Sequence, residues 1–217
     1  MKDKLRWIIP LSIAFLLGLF LVLYYFLKPG IKYIYDESSD TYLVDKAYGN
    51  SKKYVIPEKF NGKDVSGINT RAFYKNDNLE EIVFEKAENI KYIKRLAFSE
   101  CDNLKVIDLR YVEVIERNAF SYDYSLNNIE IGAKNIASSA FYKCTSLDNI
   151  SLLDGVKTIG AFSFSYCSFK EIKLPKSINN VYNDAFKYCD EISKISCYYK
   201  TDIPYLTGLK GYEKYYD

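Results

Sequence analysis

Histidine is absent from all 217 residues, and the chain has a single tryptophan, a single methionine, five prolines and ten glycines. Without histidine there is no side chain that titrates unperturbed near neutral pH, which removes the commonest general base and the commonest metal ligand. The sequence also lacks a Gly-rich phosphate loop and a Gly-x-Ser-x-Gly nucleophile elbow. Glu80-Glu81 is a carboxylate pair of the kind glycosidases use, but adjacent residues of a strand point to opposite faces. These absences argue against an enzyme: no catalytic residue, no cofactor and no metal is assigned.

Charge of one sign is missing too. Residues 1–28 hold four of the 30 basic and one of the 28 acidic residues, which leaves 26 basic against 27 acidic in the remainder. A near-neutral domain lacks the surplus of Lys and Arg that nucleic-acid binding needs, so no nucleic-acid partner is expected.

One long uncharged run is present. Trp7 to Leu27 is 21 residues without a charge, with Lys2, Lys4 and Arg6 before it and Lys28 after it. As a helix it would span roughly 31 Å, the thickness of a bilayer's hydrocarbon core. A cleavable signal has a shorter apolar run and small residues at its exit, whereas this run ends Tyr24-Tyr25-Phe26-Leu27-Lys28-Pro29. An uncleaved transmembrane anchor at 7–27 is therefore favoured over a removed signal, and no Cys near the exit supports a lipoprotein. The basic residues ahead of the run favour a cytoplasmic amino terminus (1–6) and an extracytoplasmic domain beyond, although Lys28 and Lys32 weaken that bias.

Most of the chain beyond this run is a repeat. Six copies centre on Phe73, Phe98, Phe120, Phe141, Phe164 and Phe186, at intervals of 25, 22, 21, 23 and 22 residues. Five residues before each Phe stands Ile68, Ile93, Ile115, Ile136, Ile159 or Val181; immediately before it stands Ala72, Ala97, Ala119, Ala140, Ser163 or Ala185. Three residues after it come Asn76, Cys101, Asp123, Cys144, Cys167 and Cys189. Each unit then reads Leu-x-x-Ile-x-apolar, from Leu79, Ile82 and Phe84 to Ile192, Ile195 and Cys197, with the fifth unit one residue short at Phe169. Residues two apart share a side of an extended segment, so this stretch reads as a strand. A period in the low twenties that preserves several columns is a solenoid, in which stacked coils bury a continuous apolar column that no single coil could bury alone.

The string Ile-Ala-Ser-Ser-Ala-Phe-Tyr-Lys-Cys-Thr-Ser-Leu-Asp-Asn-Ile-Ser-Leu at 136–152 resembles the leucine-rich repeat of BspA-type bacterial surface proteins. Val-Ile-Pro-Glu-Lys-Phe-Asn-Gly-Lys-Asp-Val-Ser-Gly-Ile at 55–68 is similar to the segment that leads such arrays into their first coil, and the likeness extends over roughly residues 40–204. The expected architecture is a β-rich solenoid, a right-handed leucine-rich-repeat coil of six units with short parallel strands at 67–197. One transmembrane helix and a small β cap at 31–66 precede it, and a cap or tail at 198–217 follows. Adhesion to host matrix proteins and to other cells is what the resemblance implies about function.

Four of the five cysteines share a column with Asn76 and Asp123, so the column selects a small residue at a turn. Buried free thiols are expected, although coils about 4.8 Å apart leave a Cys144–Cys167 or Cys167–Cys189 bridge within reach. A straight column cannot wrap four ligands tetrahedrally around zinc.

Two surfaces could bind a partner. Outward strand positions align from coil to coil: Glu81 and Val83, Val106 and Asp108, Asn128 and Glu130, Asn149 and Ser151, Glu171 and Lys173, then Lys194 and Ser196, acidic in the first coils and basic in the last. An aromatic edge follows the Phe column, with Tyr122, Tyr142, Tyr166 and Tyr188, and Tyr124 beside them. Tyr offers rigid contact area with a polar handle, yet a solvated strand face and half-buried edge tyrosines would look the same in sequence. The functional expectation is a membrane-anchored extracytoplasmic protein that binds a protein or cell surface. Because only Lys28-Pro29-Gly30 separates the apolar run from the domain, the partner is expected close to the membrane, as a neighbouring protein or an envelope polymer; the resemblance adds a host surface protein. The alternative is a self-associating structural component of an envelope complex.

Overall fold

The computed structural model describes residues 30–198 and 212–215. The apolar run at 7–27 lies outside the described residues, as does most of 198–217. Among the described residues no helix is long and apolar enough to cross a membrane.

An antiparallel hairpin, β1 (Gly30–Asp36) and β2 (Thr41–Tyr48), leads into β3 (Lys53–Ile56), β4 (Lys59–Phe60) and β5 (Lys63–Ile68). The coils then combine longer strands with two-residue strands, the leucine-rich stretch that holds Val106 and Leu109 making only isolated bridges. In order these are β6 (Glu81–Phe84), β7 (Tyr92–Ile93), β8 (Val114–Ile115), β9 (Asn128–Ile131), β10 (Asn135–Ile136) and β11 (Asn149–Leu152). They continue with β12 (Thr158–Ile159), β13 (Glu171–Lys173), β14 (Asn180–Val181), β15 (Lys194–Tyr198) and β16 (Tyr212–Tyr215).

The aliphatic column five residues before each Phe is itself a sheet. β2, β5, β7, β8, β10, β12 and β14 pair in parallel in that order, so that Ile68, Ile93, Ile115, Ile136, Ile159 and Val181 stand in register. The leucine-rich strands form the opposite wall. Between the walls lies one continuous core in which all six Phe side chains are buried. Their rings stack face to face: Phe73 to Phe98 at 5.0 Å, Phe98 to Phe120 at 5.1 Å, Phe120 to Phe141 at 5.0 Å and Phe141 to Phe164 at 5.3 Å between centroids.

The turn that carries each Phe is built by the backbone. The residues two before and two after the Phe adopt left-handed conformations, for example Leu96 and Glu100 at φ 58° and 61°, or Ser139 and Lys143 at 58° and 60°. Such a conformation costs a non-glycine residue about 1–2 kcal/mol. It is offset here because the alternating N–H groups all reach the next coil. Leu96, Phe98 and Glu100 donate to the carbonyls of Arg117, Ala119 and Ser121, and neighbouring coils repeat the pattern. The residue before the Phe, Ala97, Ala119, Ala140, Ser163 or Ala185, thus carries the carbonyl that receives the previous coil's Phe N–H.

The solenoid has about seven turns, not the six that the Phe motif marks. β2 and β3 form an additional leading coil: β2 pairs in parallel with β5, and β3 pairs in parallel with β6 over Lys53–Ile56. This coil has no Phe of its own, and Tyr54 closes the ring column against Phe73 with centroids 5.4 Å apart. The Tyr54 hydroxyl donates to the Tyr48 carbonyl at 3.0 Å, which satisfies its polar end.

The shortened fifth unit leaves a mark. Phe169 takes a leucine position and packs edge-on against both Phe164 and Phe186, whose own rings stand 6.0 Å apart, wider than the earlier steps. Beside it the longer strands separate into two sheets, β9 with β11 and β13 with β15 and β16.

Candidate functional site

The outward strand positions align as two straight columns. One runs Lys53, Glu81, Val106; it continues with Asn128 beside Asn149, and ends with Glu171 beside Lys194. The other includes Val55 beside Val83, then Glu130 beside Ser151, then Lys173, Ser196 and Glu213. Asn128, Glu130, Asn149, Ser151, Glu171 and Lys173 are exposed; Glu81, Val83, Asp108 and Lys194 are half-buried, and Ser196 is buried.

The charge gradient expected along this face is cancelled by pairing between strands. Glu81 meets Lys53 of the leading coil at 3.0 Å. At the far end Lys194 meets Glu213 of β16 at 3.0 Å, and the Ser196 hydroxyl donates to the same carboxylate at 2.8 Å. These contacts hold the Glu213 carboxyl below its usual range and push the Lys194 ammonium up. What remains at the middle of the face is polar, with the uncharged Asn128, Asn149 and Ser151 around Glu130.

That middle is also concave. Between the second and third coils the strand ladder narrows to a single bridge, Leu109 with Ile131, and a cleft of about 480 Å³ opens, lined by Val106, Asp108, Arg110, Asn128, Glu130 and Ser151. Arg110 grips Asp108 through Nε at 3.0 Å and Nη2 at 2.7 Å, which lowers the Asp108 pKa, and its Nε lies 3.9 Å from Glu130. Val106, 55% exposed, is the most exposed large apolar side chain among the described residues. Sequence reasoning did not single out Arg110. Its signal was period two, since it stands two residues beyond Asp108 on the same side of an extended segment.

The tyrosine edge also assembles. Tyr122 meets Tyr142 at 5.5 Å, Tyr142 meets Tyr166 at 5.6 Å, and Tyr166 stacks on Tyr188 at 4.6 Å. Tyr124 joins at 6.3 Å from Tyr122. Lys143 lies over three of these rings, 5.4 Å from Tyr122, 5.7 Å from Tyr142 and 5.5 Å from Tyr166. Burial beside the other phenols raises the Tyr142 pKa. Tyr122, Tyr142 and Tyr166 are half-buried while Tyr188 is 51% exposed, so the edge is an amphipathic ridge in which ring faces and an ammonium alternate.

The cysteine column is buried and its thiols are free. Each donates to the Phe carbonyl of the coil before: Cys101 to Phe73 at 3.0 Å, Cys144 to Phe120 at 3.0 Å, Cys167 to Phe141 at 3.3 Å and Cys189 to Phe164 at 2.9 Å. Burial pushes these thiols up, Cys189 to about 11, so they are poor nucleophiles. Among the described residues no group of three or more Cys, Asp or Glu side chains could hold a metal ion.

A family model described as BspA type leucine rich repeat region matches the chain in six copies, over residues 24–135 and 66–193. No curated protein matches the sequence. Among solved structures, a leucine rich cell surface protein from Faecalibacterium prausnitzii is 24% identical with a TM-score of 0.62, over 77% of this chain and 52% of that one. A leucine rich repeat protein from T. pallidum is 24% identical with a TM-score of 0.53, over 76% of this chain and 68% of that one. The pneumococcal vaccine antigen PcpA is 17% identical with a TM-score of 0.56, over 79% of this chain and 48% of that one. The chain thus spans about half the length of the first and the last of these, and the likeness is one of fold.

Proposed function

We propose that this chain, which belongs to the BspA-type leucine-rich repeat family, is anchored in the membrane by residues 7–27 and binds another macromolecule outside the cell through its strand face. The observation that carries the reading is the cleft between the second and third coils. There a row of aligned side chains, uncharged except at Asp108, Arg110 and Glu130, borders a concavity with an exposed valine on its rim. Solenoids use such extended concave rows to hold partners, and a half-apolar, half-polar lining suits a protein segment or an envelope polymer. The description of the F. prausnitzii protein as a cell surface protein supports the extracytoplasmic location. Family and fold support binding in place of catalysis, and adhesion is the form of binding that a surface location favours.

The test is crosslinking on intact cells with capture of the partner. Asn128→Arg combined with Ser151→Arg fills the cleft without touching the core, and should reduce capture on the order of tenfold, the effect of losing about 1.4 kcal/mol of binding. Capture at the unmodified level from a folded double variant would remove the strand face from consideration. Lys194 is a poor probe of binding, because Glu213 already holds it.

A further inference from the structure

We propose that the tyrosine–lysine ridge is a lipid-facing surface, lying along the headgroup layer of the bilayer that the chain emerges from; this rests on the anchoring reading above. Only Lys28 and Pro29 separate Gly30 from the end of the apolar run. Gly30 pairs with Tyr48 across the base of the β1–β2 hairpin, so closely that a Cβ on Gly30 would collide with the Tyr48 ring. Tyr48 in turn belongs to the leading coil's counterpart of the Phe turns, since the N–H of Ala47 donates to the carbonyl of Ala72 at 2.8 Å. The chain therefore enters the solenoid at one end of the ridge, not on the strand face.

At three places along the ridge a ring stands beside a cation, with Ser99 and Glu100 of the Phe98 coil between the first and the second. Lys46, Arg71, Tyr74, Lys75 and the acidic Asp77 line a hollow of about 280 Å³ next to Gly49, and both Arg71 and Lys75 lie over the Tyr74 ring at 5.7 and 5.3 Å. The Lys143 cluster follows. At the far end Lys187 lies 5.5 Å from the Tyr188 ring and 5.8 Å from that of Phe162, which is itself exposed. Tyrosine partitions to the boundary between hydrocarbon and water, and ammonium groups beside it meet lipid phosphates. Of the acids along the ridge, Glu100 pairs with Lys75 and Asp184 with Lys187, each at 3.2 Å, while burial and the neighbouring Asp77 and Glu100 raise the Asp102 pKa. The acidic end of the hairpin, Asp36, Glu37 and Asp40, stands roughly 20 Å along β1 from Gly30, on the side away from the entry point. A solenoid resting on its ridge leaves the strand face and its cleft open for a partner.

Trp7, the sole tryptophan, lies within the proposed anchor and serves as the internal reference. The full chain is reconstituted in vesicles of phosphatidylcholine and phosphatidylglycerol that contain bromine-labelled lipid, and tryptophan quenching is read. In a Trp7→Phe background, Tyr142→Trp and Tyr188→Trp should each be quenched by shallowly labelled lipid severalfold more than Val106→Trp on the strand face. Tyr188 is half exposed, so its replacement disturbs packing least. Trp7 of the unmodified chain, at the first position of the apolar run, should be quenched by shallowly labelled lipid. If Trp7 is quenched but the ridge positions behave like 106, the anchor stands and the lipid-facing ridge is overturned. If Trp7 is not quenched, both readings fall. Ridge positions shielded from lipid and from aqueous iodide alike would mean that a protein covers the ridge, which also overturns the proposal.

Discussion

Asp123 occupies a position that Cys fills in four other coils, and its chemistry differs from theirs. It is fully buried; Oδ1 accepts the Cys101 N–H at 2.9 Å, and Oδ2 has no partner. Desolvation raises its pKa well above the usual carboxylate range, with Asp102 adding to the rise. A protonated Oδ2 can donate a hydrogen bond, as the thiols of the column do. Since the folded protein holds this proton more tightly than the unfolded chain, the contribution of Asp123 to stability is largest below about pH 4 and falls as pH rises from there toward the folded pKa. Asp123→Cys should therefore stabilise the fold by about 1–3 kcal/mol at pH 8 and by progressively less in acid, as read from urea unfolding at several pH values. An equal effect at all pH values would mean that the carboxyl is not protonated by folding. The remaining thiols should react with a disulfide reagent only as fast as the domain opens, so their labelling rate in the native protein should be far below that in urea. Gly132 has a different constraint: a Cβ there would meet the Arg110 carbonyl oxygen of the previous coil inside van der Waals contact. Gly132→Ala should cost about 1–3 kcal/mol, because the clash is with backbone that cannot rotate away.

The Phe ladder is the element whose contribution is most direct. Phe120 stacks on Phe98 and on Phe141 at 5.1 and 5.0 Å and is fully buried, so Phe120→Ala should lower stability by about 3–5 kcal/mol in a denaturant melt. A substitution at Phe186, which among the described residues stacks on Phe164 alone, at 6.0 Å, should cost less. This ladder and the leucine-rich strands were legible because each recurs with its neighbours at a fixed offset. The sheet on the opposite wall was not. Strands such as Tyr92–Ile93 and Val114–Ile115 are two residues long and bury one side chain each, so they offer no alternation to read. The shift of Phe169 was visible in the sequence, but not the separation of β11 from β13 that accompanies it, because that depends on which backbone groups of two coils face each other.

At the scale of the molecule, the ends decide how the stack terminates and how its surface is charged. The leading coil closes the ring column with Tyr54, and Tyr54→Ala should destabilise the fold by about 3–5 kcal/mol; Tyr54→Phe, which loses only the hydroxyl's shared bond to the Tyr48 and Gly49 carbonyls, should cost about 1 kcal/mol. Lys53 from this coil and Glu213 from β16 neutralise the outermost charges of the strand face, leaving the polar centre and its cleft as the distinctive surface. The sequence by itself determined the coil period, the columns of the core and the identity of the outward residues, since these follow from spacing within one unit. Only the tertiary structure decided that a coil without the Phe motif joins the stack, that the outward charges pair across strands, and that the tyrosine ridge begins beside Gly30. Those features join residues some twenty to thirty positions apart, and their formation depends on the register between coils, which no single repeat encodes.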